Sequence, residues 1–192
     1  MVLSERAAFP LARRLRETGA PLGEVFAFMS GLYFRGKLAY ARAFARPPEG
    51  VAGALVITAN RGLRPADEPV TVGWLRACAE VPIDAEESRY RRPLLRDARR
   101  LATTAVDSEF VLLGSIATPK YVDVLRAVLG ERLRFPPAFV GRGDMSRGGL
   151  LLRCVRAGEE LTYAPVRGAV RNGQRPPKLE PLRRATPRAE AH

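Results

Sequence analysis

The segment FVLLGSIATPKYVDVL, Phe110–Leu125, holds the strongest structural signal in the chain. A short apolar run, Phe110–Leu113, stops at Gly114-Ser115, turns, and becomes an amphipathic helical pattern from Pro119. Proline suits the first helical position, where its missing N–H has no partner to lose, and this makes Thr118 the natural N-cap. Tyr121, Val122, Leu125, Val128 and Leu129 share one face until Gly130 ends the helix. A buried strand feeding a helix is the unit of α/β layer folds, which bind ligands at the strand's carboxyl edge. An α/β fold with a sheet at its core is the expectation.

Upstream, Arg92–Thr104 reads as a helix with Pro93 in its first turn. Leu94, Leu95, Ala98 and Leu101 point inward; Arg96, Arg99 and Arg100 point outward. Val70–Val81 places Trp74, Leu75, Cys78 and Val81 at helical spacing, as core residues. Val51–Thr58, VAGALVIT, is short and almost wholly apolar, which is how a central strand reads. The turn Asn60-Arg61-Gly62 follows it. Leu22–Phe44 carries a helical stripe of Val25, Met29, Leu32, Tyr33, Tyr40 and Phe44. Gly31 and Gly36 weaken that stripe and signal a break or a close packing contact. Arg35, Arg42 and Arg46 lie on another face, either solvated or nucleic-acid facing. Residues 3–18 read as a short basic helix.

Downstream, Leu133–Val140, LRFPPAFV, is an extended segment whose two prolines make it an edge or a loop. In the turn Gly141–Gly149, GRGDMSRGG, Asp144 or Ser146 can cap a helix starting near Arg147. Leu150–Val155 continues that helix, and Glu160–Val166 reads as a closing edge strand. One domain over residues 1–166 is expected, helical in 1–46 and with its sheet core in 51–166. Residues 167–192 read as a basic, Pro/Arg-rich tail without an apolar period, disordered by composition.

The formal net charge is +12 over 192 residues, with 46% apolar composition. A positive field favours polyanions, and a GC-rich coding bias toward Arg, Ala, Pro and Gly is the plain alternative. The one histidine is His192. That argues against a Ser/His/Asp triad, a His-based zinc site and His acid–base chemistry. Cys78 and Cys154 stand alone, as reduced buried thiols do. No metal site and no cofactor motif is identified; GxxxxGK[ST] is absent. No run is long enough to cross a membrane and no signal peptide is recognised, so the cytoplasm is the expected location.

The candidate phosphate or nucleic-acid contacts are the polar and basic residues of three turns: Asn60 and Arg61; Ser115, Thr118 and Lys120; Arg142, Ser146 and Arg147. Arginines beside a helix N-terminus are mildly unfavourable through the macrodipole, which hints at a bound anion or at compensation by Asp144. Asp144 is the only acid in these turns and the one candidate for acid–base catalysis.

Three stretches together resemble a poorly characterised bacterial α/β family distantly grouped with the YaaA peroxide-stress protein. They are Leu32-Tyr33-Phe34 with Lys37, Ala39 and Arg42; Ile57–Leu63 with Pro65; and Gly114, Tyr121 and Leu125 with Phe135-Pro136 and Gly141–Leu152. The resemblance implies a Rossmann-like, mostly parallel sheet flanked by helices, and contact with DNA or nucleotides. The family's usual first strand and turn are replaced here by helices, a helical N-terminal extension, so a function of that turn does not transfer.

Three functions fit. The first is a cytoplasmic nucleic-acid or nucleotide-phosphate binding domain. The second is an enzyme acting on a nucleoside, nucleotide or nucleobase. The third is a non-catalytic assembly partner of an acidic protein. The expected partners are nucleic acid or a phosphorylated small molecule, and no membrane.

Overall fold

The computed structural model describes residues 7–179, and about half of these residues are helical. Its elements run α1 (Pro10–Glu17), β1 (Ala20–Pro21), α2 (Leu22–Ser30), α3 (Leu32–Phe44), β2 (Leu55–Thr58), β3 (Gly62–Pro65), β4 (Pro69–Val70) and α4 (Val72–Ala79). They continue with α5 (Ser88–Thr104), β5 (Phe110–Val111), α6 (Pro119–Leu129), β6 (Leu133–Phe135), α7 (Asp144–Ala157) and β7 (Ala164–Pro165). Short 3₁₀ turns at Gly130–Arg132 and Pro137–Phe139 flank β6.

The Rossmann-like, mostly parallel sheet is not what the chain builds. Three small sheets take its place: β1 with β4, β2 with β3, and the order β5-β6-β7. Among the described residues only β5 and β6 run parallel; the other pairs are antiparallel. The stretch Phe110–Leu129 does form strand, turn and helix, and β6 returns beside β5, so one βαβ unit exists. It does not propagate. Pairing with β6 reaches only the Leu112 N–H, which donates to the Arg134 carbonyl at 2.8 Å. The next carbonyl, that of Leu113, accepts instead from the Tyr33 hydroxyl at 3.2 Å.

Val51–Thr58 is likewise not a central strand. Residues 51–54 have no strand pairing, with Ala52 and Gly53 exposed. Leu55–Thr58 pairs only with Gly62–Pro65, in a hairpin that buries Val56 and Thr58. Small residues gave the apolar run its continuity, and they bring too little side-chain area to cover two faces. Leu133–Phe135, expected as an edge or a loop, is the middle strand of its sheet. Its two prolines fall after the pairing ends.

Helix α5 starts four residues before the expected point. Glu87 is its N-cap and accepts the Arg89 N–H, so Pro93 lies inside the helix rather than in its first turn. Leu22–Phe44 is two helices. Gly31, at φ 64, ends α2 and begins α3, a backbone conformation that favours glycine.

The N-terminal helices are not an extension. Helix α3 crosses α7 with Gly36 against Gly148: a Cβ on Gly36 would stand 2.7 Å from the Gly148 carbonyl oxygen. Around that crossing Tyr40, Phe139 and Leu151 form one buried cluster. Tyr40 accepts the Leu161 N–H and meets the Tyr163 hydroxyl at 2.7 Å, and Tyr163 donates to Glu160. Helices α1, α2 and α4 close a second cluster around Leu15, Leu22, Val25 and Val70. The third lies between α5, α6 and the β5-β6-β7 sheet, around Tyr90, Leu94, Val122, Leu125 and Leu133.

Residues 167–179 carry no helix or strand but run over the body. Arg171 pairs with Asp123 of α6 at 3.2 Å, and the Gln174 carbonyl packs on Gly141. The part of the expected tail at 180–192 lies outside the described residues, as do residues 1–6. Among the described residues no helix is long and apolar enough to cross a membrane.

Candidate functional site

Helical spacing brings two sets of residues face to face at the α3–α7 crossing. On α3, Tyr33, Gly36, Lys37 and Tyr40 follow the i, i+3, i+4, i+7 pattern. On α7, Asp144, Arg147, Gly148 and Leu151 do the same. The glycine pair removes both side chains at the closest approach and pulls the flanking polar groups together. The turn after β5 joins them, because the Tyr121 hydroxyl donates to the Ser115 carbonyl at 2.7 Å and lies near Arg147 and Asp144.

Charges at this crossing are unevenly compensated. Arg147 is largely buried, with 12% of its side chain exposed, and bonds to Asp144 at 3.3 Å and to the Phe139 carbonyl at 3.2 Å. Asp144 keeps 69% of its side chain in solvent. The Lys37 ammonium lies 3.9 Å from the centre of the Tyr33 ring. Burial, with the nearby Arg147 guanidinium, pushes it down to about 8, and Asp144 opposes that fall. Burial likewise pushes the Tyr33 hydroxyl up to about 12 and raises Tyr121, while Arg147 opposes both shifts.

Helix α7 begins at Asp144, not near Arg147. Its N-cap is Gly143, and neither Asp144 nor Ser146 caps it through a side chain. Asp144 sits in the first turn, where a carboxylate suits the helix dipole, and it holds Arg147. That pair answers internally the cost that had hinted at a bound anion. Ser146 accepts from Arg142, whose Nε donates to the Ala138 carbonyl. Thr118 takes the N-cap position of α6 without a capping bond from its hydroxyl, Ser115 Oγ accepts the Ala117 N–H, and Lys120 is exposed.

Asn60 and Arg61 have their partners on α4. The Asn60 amide donates to the Ala77 carbonyl and accepts from the Cys78 thiol, and Arg61 lies over the Trp74 ring at 5.6 Å. Of the three turns, the structure thus joins the second and third through Tyr121. The residues missed by sequence reasoning as site groups are Tyr33, Lys37 and Tyr121. A signal existed: Gly-Lys on one helix and Arg-Gly on another, each glycine beside a cation.

On the outer side of α7 an open groove of about 360 Å³ runs between the helix and residues 175–179. Arg142, Arg153, Arg175 and Lys178 line it, with Ser146 and Met145, and no carboxylate among the described residues faces it. Elsewhere the basic faces are partly answered by acids: Arg42 pairs with Asp67, and Arg46 with Glu160 at 3.7 Å. Among the described residues no group of three His, Cys, Asp or Glu side chains is placed to hold a metal ion.

No protein-family model, no curated protein and no solved structure matches this chain, so none ties it to the peroxide-stress family.

Proposed function

We propose that this is a cytoplasmic protein that binds nucleic acid, or the phosphates of a nucleotide, through the groove beside α7. The observation that carries the reading is the groove's lining: four cations and, among the described residues, no acid, on a chain of net charge +12. A polyphosphate strand satisfies such a surface by displacing its condensed counterions, which makes affinity fall steeply with salt. Ser146 offers a neutral hydroxyl between the cations. Met145, exposed at the rim, gives an apolar edge for a base.

The test uses the full chain with labelled short DNA and RNA, single- and double-stranded, across a salt series. With four phosphates neutralised, the slope of log affinity against log salt is about −3.5 for duplex DNA and about −3 for a single strand. Arg142→Ala with Lys178→Ala removes two of the four contacts and flattens the slope by about 2 for duplex DNA. Retention that ignores salt, or a slope unchanged by the double substitution, refutes the groove as the binding surface.

A further inference from the structure

Nine residues of α5 are exposed, and they are six arginines, two threonines and one serine. The opposite face, Tyr90, Leu94 and Ala98, is fully buried in the cluster with α6 and the β5-β6-β7 sheet. Arg92, Arg96 and Arg99 recur at spacings of four and three, with Arg89 and Arg100 beside them, so the charges form one stripe. From Arg89 to Arg100 it is about 16 Å long. Glu87 holds Arg89 and Asp97 holds Arg96. The guanidiniums of Arg92, Arg99 and Arg100 have no partner among the described residues. The first turn of α5 carries no acid, and arginines three and four residues apart on one helix repel.

The composition of the stripe narrows its occupant. A protein interface needs apolar anchors at its centre, and a helix lying on a lipid surface needs an apolar face in the acyl boundary. The exposed residues of α5 supply neither. A single strand is held largely by stacking its bases on aromatic rings, and no ring is exposed there. A duplex hides its bases and offers phosphates along a rod that stays straight over this length. Arginine suits those phosphates through its fork of charged donors.

We propose that the outer face of α5 is a second nucleic-acid contact, which takes the phosphate backbone of a duplex. It rests on the reading that the chain binds nucleic acid, and not on the groove beside α7.

The experiment titrates the full chain into a labelled short duplex and into its single strand, DNA and RNA in turn, across a salt series. Arg92→Gln with Arg99→Gln removes two contacts and keeps good helix formers in place. It should flatten the duplex slope by about 2 and leave the single-strand slope unchanged. Arg13→Gln with Arg35→Gln, exposed arginines of α1 and α3, lowers the net charge equally and should change neither slope. An unchanged duplex slope in the α5 variant, an equal loss in the control, or an equal flattening for the single strand overturns the proposal. So does displacement of the duplex by polyglutamate at matched charge, which marks the face as a seat for an acidic protein. Arg142→Ala with Lys178→Ala separates the two surfaces. A slope that responds to this pair alone keeps the groove and removes the α5 contact; one that responds to Arg92 and Arg99 alone does the reverse. Absence of nucleic-acid binding removes both.

Discussion

A single methyl group at Gly148 forces α3 and α7 apart. A Cβ there would stand 2.8 Å from both the Leu32 carbonyl oxygen and the Tyr33 Cα, and 3.0 Å from the Leu32 carbonyl carbon. These are backbone atoms, which cannot rotate away as a side-chain tip can. Overpacking of this kind costs about 1–3 kcal/mol, and rigid neighbours put it in the upper half. Alanine returns about 1 kcal/mol through helix propensity, leaving a net loss of about 1–2 kcal/mol for Gly148→Ala. The next residue is the control. A Cβ on Gly149 meets only the Leu179 Cδ1 at 3.6 Å, an ordinary contact. Gly149→Ala should therefore keep a propensity gain of about 0.5–1 kcal/mol. Urea denaturation of both variants reads the difference, about 1.5–3 kcal/mol between adjacent positions of one helix. Equal stabilities, or Gly148→Ala the more stable, would refute the close crossing and with it the placement of Lys37 against Asp144 and Arg147.

Two further perturbations reach other parts of the molecule. Arg132 donates to the carbonyls of Ala102, Ala105 and Val106, closing the C-terminal end of α5 from the segment that leads into β6. Arg132→Met should cost about 1.5–3 kcal/mol in urea, because the helix end loses charged hydrogen bonds and a cation on its dipole; a neutral result removes that capping role. Lys37 gives stability a pH dependence of defined sign. Its folded value of about 8 lies below the ordinary lysine range, so the unfolded chain binds the extra proton between the two. Stability should rise from pH 8; the Cys78 and Cys154 thiols, raised by burial, oppose the rise from about pH 9, and Tyr33 and Tyr90, both raised to about 12, oppose it from about pH 10. Lys37→Met should abolish the rise and add about 1–3 kcal/mol at pH 7; a flat profile in the parent chain contradicts the burial of the amine.

How far the sequence could be read depends on the range of the forces involved. Thr118-Pro119 fixes a helix start through local sterics, and the structure begins α6 at Pro119. Gly31 and Gly36 could signal a break or a close contact, and each does one of these: Gly31 parts two helices and Gly36 meets Gly148. The sheet was not legible, because whether an apolar run pairs on both edges is decided by distant partners. The Leu113 carbonyl goes to Tyr33, 80 residues away, and VAGALVIT finds only its own hairpin. The same limit hid the polar cluster. Tyr33 sits in an apolar stripe and Tyr121 in a helix face expected against the sheet, and neither reveals that its hydroxyl turns toward a backbone carbonyl of the β5 turn. Arg142 and Ser146 were legible as polar groups of one turn, yet their bond to each other and their place on the groove depend on residues 175–179.

The hydroxyl contact between Tyr40 and Tyr163 spans 123 residues. On a ribosome adding about 5–20 residues per second, the first tyrosine waits about 6–25 seconds for the second to be made. For most of that interval, until Asp144–Ala157 is made, α3 has no α7 to cross, and its face of Tyr33, Tyr40 and Phe44 stays open to other apolar surfaces. Until α7 is made, the Lys37 amine has neither Arg147 nor Asp144 beside it.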